Sequence, residues 1–211
     1  MKFPKHLAIY FKSFYKPSAA FNELLAGNYF RAGFLYMMIP LVLYTLMYFM
    51  LWAGNGAPST FAPWLDIPRE QYYYWNRFLV APSMMFAWFA TASFMQVIAR
   101  TLKGSGSFEA TLGLTGLSIS VAMWSTLLHD LLMSFFSMTG VIDARLHETA
   151  MNSPTIWRNI LWACFALYLF AFPALFYTTV RAVHGLSKAR SFFIALASFL
   201  IFQLIFLVFN R

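Results

Sequence analysis

Residues 191–209 read SFFIALASFLIFQLIFLVF, with no charged side chain among them. At about 1.5 Å of rise per residue, a helix of this length covers most of a hydrocarbon layer about 30 Å thick. In hydrocarbon every backbone N–H and C=O must bond inside its own segment, so the run is read as a membrane-crossing helix. Four earlier runs have the same character: residues 32–53, 76–99, 110–136 and 159–180. None shows the strict apolar–polar alternation of a barrel strand. The predicted fold is therefore all-α. It is a polytopic transmembrane bundle of five spans over residues 32–211, preceded by an N-terminal segment, residues 1–31.

Composition supports the same class. Of 211 residues, 61% are hydrophobic and 20% aromatic, while only 10% are charged, against about 25% charged in an ordinary soluble domain. A water-soluble fold of this size could not hide 25 Phe, 11 Tyr and 7 Trp. The net charge of +8 would raise the question of nucleic acid in a soluble chain, but no sequence signature of nucleic-acid binding occurs. The basic residues instead flank the spans, where they set topology and meet anionic lipid. The single cysteine, Cys164, lies in an apolar run and reads as a small core residue. No cleavable signal peptide is expected, since the first apolar run is long enough to span.

Ten of the 15 Lys and Arg fall on one side of the predicted spans: Lys2, Lys5, Lys12, Lys16, Arg31, Arg100, Lys103, Arg181, Lys188 and Arg190. The remainder, Arg69, Arg77, Arg145, Arg158 and Arg211, are mixed with Asp66, Glu70, Asp143 and Glu148. The positive-inside rule then puts the N-terminus in the cytoplasm and the C-terminus outside.

Within residues 1–31, Leu7, Tyr10, Phe11 and Phe14 recur at i, i+3, i+4 and i+7, flanked by Lys5, Lys12 and Lys16. This predicts a basic amphipathic helix lying on the membrane surface, with Arg31 also at that surface. Pro17 interrupts it, Ser18 is the expected N-cap of a second short helix, and Gly27-Asn28 its stop. On the other side, Pro58, Pro63 and Pro68 break residues 54–75, and Tyr72, Tyr73, Tyr74 and Trp75 are expected to form a head-group aromatic belt. A short surface helix is expected over residues 143–151.

Chemistry-bearing residues are few. His129 and Asp130 are the adjacent ionisable pair inside a span, and a carboxylate there costs at least about 2.5 kcal/mol on insertion scales. Two readings stay open: an ion, proton or partner contact, or an interfacial position near the outer end of the third span. Gln96 and Gln203 complete the candidate intramembrane polar set, each able to bond across helices. Gly113, Gly116 and Ser120 form a small-residue face for close helix packing, with a dimer contact as its alternative use. Pro40, Pro82 and Pro173 kink three spans. Lys103-Gly104-Ser105-Gly106-Ser107 lacks the Gly-Lys-Ser/Thr of a phosphate loop and reads as a tight turn, with Ser107 as N-cap and Glu109 favouring the helix dipole. Gly116-Leu117-Ser118-Ile119 lacks the second glycine of a nucleophile elbow. His6, His129, His147 and His184 lack metal-ligand spacing. No catalytic site, metal or cofactor is expected.

Three stretches carry a family likeness: Lys16-Pro17-Ser18-Ala19-Ala20-Phe21-Asn22-Glu23-Leu24-Leu25, Leu102-Lys103-Gly104-Ser105-Gly106-Ser107-Phe108-Glu109-Ala110-Thr111-Leu112, and Val180-Arg181-Ala182-Val183-His184-Gly185-Leu186-Ser187-Lys188-Ala189-Arg190. In order and spacing the chain resembles the Yip family of five-span membrane proteins, in its short bacterial form, and the likeness makes the bacterial cytoplasmic (inner) membrane the expected location. The resemblance implies a cytoplasmic N-terminus, an external C-terminus and no enzymatic activity. Eukaryotic members bind Rab-type GTPases and act in vesicle traffic, and they carry a long cytoplasmic N-terminal region. Only residues 1–31 precede the first span here, which argues against carrying that role over.

Together these readings lead to a membrane scaffold, assembly factor or accessory subunit, acting through helix–helix and lipid contacts. Its expected partners are membrane lipids and another membrane protein or a second copy. A small transporter or channel using His129 and Asp130 is the alternative.

Overall fold

The computed structural model describes residues 3–56, 65–143 and 154–209. Its helices, in the labels used below, are α1 (Phe3–Tyr15), α2 (Pro17–Leu25), α3 (Tyr29–Ala53), α4 (Tyr72–Thr101), α5 (Phe108–Met138), α6 (Ile156–His184) and α7 (Lys188–Phe209). The last five are each long and apolar enough to cross a membrane. They begin before the predicted runs, and three also end beyond them, because a helix need not stop where the hydrocarbon does. The helix expected over residues 143–151 lies, apart from Asp143, outside the described residues, as do Lys2, Pro58, Pro63, Arg145, His147, Glu148 and Arg211.

Consecutive long helices alternate in direction. Tyr48 of α3 meets Tyr73 of α4, and Phe34 meets Trp88, so these two run antiparallel. Tyr168 of α6 bonds Gln203 of α7 while Phe172 packs on Phe199, again antiparallel. One end of the bundle therefore gathers the α2–α3, α4–α5 and α6–α7 turns, where Arg31, Arg100, Lys103, Lys188 and Arg190 are exposed. This is the basic end. The aromatic end gathers the α3 and α5 C-termini and the α4 and α6 N-termini, with exposed Trp52, Tyr74, Trp75 and Trp157.

α5 is the axis. Every residue from Ala110 to Met123 is buried, and α3, α4 and α6 all pack on it. The closest seam is α3 on α5, whose chains run in the same direction. A Cβ on Gly33 would strike the backbone of Gly113, and one on Gly113 would strike the Tyr29 carbonyl. Gly116 in turn faces the Gly33 carbonyl. The glycine face of α5 is thus occupied within the chain by α3. Backbone contact of this kind is how helices gain dispersion energy where lipid is as apolar as leucine.

The N-terminal helices differ from expectation. α2 begins at Pro17, with Lys16 rather than Ser18 in the N-cap position, because proline's fixed φ suits the first helical turn. Asn28 does not merely end α2: its side chain accepts the Arg31 N–H at 3.2 Å and caps α3. α1 does not present one apolar face to lipid. Leu7, Phe11 and Phe14 are exposed, but Ile9, Tyr10 and Ser13 are buried against the bundle. Tyr10 and Phe11 are adjacent, so about 100° separates them around the helix, and the tyrosine takes the inward side because its hydroxyl finds partners there.

Candidate functional site

Side-chain hydrogen bonds join α5 to α1, α3, α4 and α6. Ser118 Oγ and Thr179 Oγ1 of α6 are 2.8 Å apart. Trp88 Nε1 of α4 donates to the Leu112 carbonyl at 2.9 Å, and Thr126 Oγ1 lies 3.2 Å from the Tyr44 hydroxyl of α3. Tyr10 of α1 has its hydroxyl 2.9 Å from Ser120 Oγ and accepts the Trp124 indole N–H at 2.7 Å. Burial pushes the Tyr10 pKa up, while these two bonds act the other way. Its ring stacks on Tyr36 at 5.3 Å, and the Tyr36 hydroxyl donates to the His6 carbonyl. Burial first, then positive charge including Arg31, holds the His6 imidazole below its usual pKa.

At the basic end the bonds form a directed chain. The Gly106 carbonyl can only accept, so Gln96 turns its Nε2 toward it, at 3.0 Å. That leaves Gln96 Oε1 facing Thr111 Oγ1 at 2.6 Å, and the hydroxyl donates to it. The hydroxyl proton is then committed, so His184 Nε2, 3.0 Å away, must be the donor to Thr111. The geometry puts a proton on His184 Nε2, with Nδ1 left without a partner. Ser107 caps α5 from the same turn, accepting the Ala110 N–H at 3.2 Å with Glu109 in the first turn. A Cβ on Gly106 would run into the side chain and backbone of Val183, which is why this turn is glycine-rich. The α4–α5 turn and the end of α6 are thereby locked together. α2 packs on α6 as well, with Phe21 and Leu24 fully buried. The three stretches that carry the family likeness converge on this end.

The surface lysines and arginine of the N-terminal region divide. Lys5, Lys16 and Arg31 are exposed, whereas Lys12 Nζ pairs with Glu23 Oε2 of α2 at 3.0 Å.

The candidate polar residues do not form one constellation. Gln96 belongs to the basic end. Gln203 Oε1 accepts the Tyr168 hydroxyl at 2.6 Å and joins α7 to α6. His129 and Asp130 do pair, Nδ1 to Oδ1 at 2.9 Å, with the histidine side chain 8% and the aspartate 31% exposed. Tyr72 and Tyr73 are buried rather than part of the head-group belt. Four successive residues encircle a helix, so Tyr74 and Trp75 face outward and the preceding pair inward. Asn76 shares their face of α4 by its i+3 and i+4 spacing. It is completely buried, with neither amide atom bonded.

Sequence reasoning did not single out Tyr10, Ser118, Trp88, Thr179 or Tyr168 as bonding residues. Ser118 and Thr179 carry a detectable signal, being hydroxyls inside predicted spans, where each needs a partner. Tyr10 was concealed by its place in an apolar periodicity.

A family model described as the Yip1 domain matches residues 11–209. No curated protein and no solved structure matches the chain.

Proposed function

The chain belongs to the Yip1-domain family, and from that premise we propose that it is a non-enzymatic scaffold, assembly factor or accessory subunit of the membrane. It acts through helix–helix and lipid contacts, with its basic end in the cytoplasm, in a bacterial cytoplasmic membrane. The observation that carries this reading is the basic end itself. Hydrogen bonds from Gly106 through Gln96 and Thr111 to His184 tie turn to helix, and Arg31, Arg100, Lys103, Lys188 and Arg190 stand exposed around them. Polar groups there hold backbone and side chain in place, and the free charge points outward. That arrangement suits a fixed platform that meets acidic protein or anionic head groups.

The test is affinity purification after mild detergent extraction, comparing the native chain with an Arg100→Glu/Lys103→Glu variant. A second copy or a partner protein should co-purify in fixed ratio with the native chain and be lost from the variant. A bare monomer, free of protein and lipid in both cases, refutes the proposal.

A second reading is favoured by one observation: Asp130 is half-buried inside α5 and its carboxylate lies 2.9 Å from His129 Nδ1. That pair would serve ion or proton movement in a small transporter or channel. Asp130→Asn should then abolish flux in proteoliposomes. Flux that is absent from the native chain, or equal in the variant, removes this reading.

A further inference from the structure

Arg77 lies in the second turn of α4, about 8 Å along the helix from Tyr72. Its guanidinium carbon sits 3.9 Å from the ring centre of Trp52, 4.4 Å from that of Tyr74 and 4.7 Å from that of Phe78. Trp52 comes from the last turn of α3, so two helices build the enclosure. All three rings are exposed on the outer surface of the bundle, and Phe49 and Trp75 extend the patch, 5.6 Å from Trp52 and 5.3 Å from Tyr74.

Aromatic faces attract the charge but offer no lone pair to five N–H donors. Nε is buried without a hydrogen-bond partner, and no carboxylate among the described residues pairs with the group. The result is an oriented, unneutralised guanidinium at the aromatic end, near the depth where hydrocarbon gives way to head groups. The anion every phospholipid carries at that boundary is its phosphodiester, and the planar guanidinium fork matches two phosphate oxygens at once. Rings that already hold the side chain reduce the conformational entropy lost on binding. Their exposed faces suit the glycerol and the upper acyl chain.

We infer that Arg77, held by Trp52, Tyr74 and Phe78, binds the phosphodiester of one phospholipid in the leaflet at the aromatic end. This deepens the lipid-contact part of the function proposed above and names its site. It is independent of the basic end, so loss of a protein partner would leave it standing.

Native mass spectrometry of the detergent-purified protein tests it. The probes are dioleoylphosphatidylcholine, which carries the phosphodiester at zero net charge and so offers little to the basic end, and a dioleoyl galactolipid, which has the same chains but no phosphate. The native chain should retain one phosphatidylcholine at least about tenfold more tightly than the galactolipid, the scale of charge-assisted hydrogen bonds. Arg77→Gln should abolish that difference, and Arg77→Lys, a point charge without the fork, should restore only part of it. Ser105→Ala, exposed at the opposite end, should leave the tightly held lipid in place. Equal retention of both lipids by the native chain overturns the proposal without reference to any variant. So does unchanged retention in Arg77→Gln, or loss that follows Ser105→Ala instead.

Discussion

At Gly33 and Gly113 the backbones of α3 and α5 touch, with no room for a methyl group between them. Gly33→Ala or Gly113→Ala must push apart two helices whose backbones, not flexible side chains, form the contact. Overpacking of this kind costs about 1–3 kcal/mol. Thermal unfolding in detergent should show each variant melting lower than the native chain, and an unchanged midpoint would mean that the seam yields without cost. Tyr10 makes a complementary case, since its ring is apolar and only its hydroxyl fixes which way α1 turns. Tyr10→Phe removes the bonds to Ser120 and Trp124, each worth about 0.6 kcal/mol on average within membranes. Little global stability is at stake, but α1 should loosen locally. Amide exchange of residues 9–13 should quicken in the variant, whereas equal protection would assign the docking of α1 to its packing alone.

Among elements, the five long helices were legible because hydrocarbon leaves the backbone no alternative, and the Ser107 cap because its hydroxyl precedes an apolar run at the right offset. Which face of each helix turns inward was less legible. The Tyr72–Trp75 run looks uniform as a string, yet the α3 contact of Tyr73 and the exposure of Tyr74 follow from where the neighbouring helix lies. Of the candidate site, the pairing of His129 with Asp130 could be read from adjacency. The chain from Gly106 to His184 could not, because its members are separated by up to 88 residues and meet only when α4, α5 and α6 assemble. Thr111 is its hinge. Thr111→Val keeps the shape, removes the hydroxyl and leaves Gln96 Oε1 and His184 Nε2 buried without it. Leaving such groups unsatisfied costs about 1–3 kcal/mol. The turn should open relative to α6, so a disulfide engineered between Ser105→Cys and Ser187→Cys should form at a different rate in the Thr111→Val background. The same rate would show that glycine packing alone holds the two turns together.

For the whole molecule, five alternating crossings place Ser18, Ser105 and Ser187 at one end and Glu70 and Thr139 at the other, all exposed. The unequal share of Lys and Arg between the ends orients the bundle: moving the basic end across would carry Arg31, Arg100, Lys103, Lys188 and Arg190 through hydrocarbon, at about 2.5–3.5 kcal/mol each even on insertion scales. That sum far exceeds thermal energy, so one orientation should dominate the population. The chain has a single cysteine, Cys164, and in a Cys164→Ser background one cysteine at a time can report its compartment. In intact cells, a membrane-impermeant maleimide should label Glu70→Cys and Thr139→Cys from outside and reach Ser18→Cys, Ser105→Cys and Ser187→Cys only after the membrane is opened. Neutralising Arg100 and Lys103 together should weaken the bias and give a mixed pattern, because the α4–α5 turn then loses its charge while its helices stay the same length. If Ser18→Cys and Ser187→Cys report opposite compartments in the otherwise native chain, the number of crossings between α2 and α7 is not four, and the alternating bundle fails as a description of the protein in its membrane.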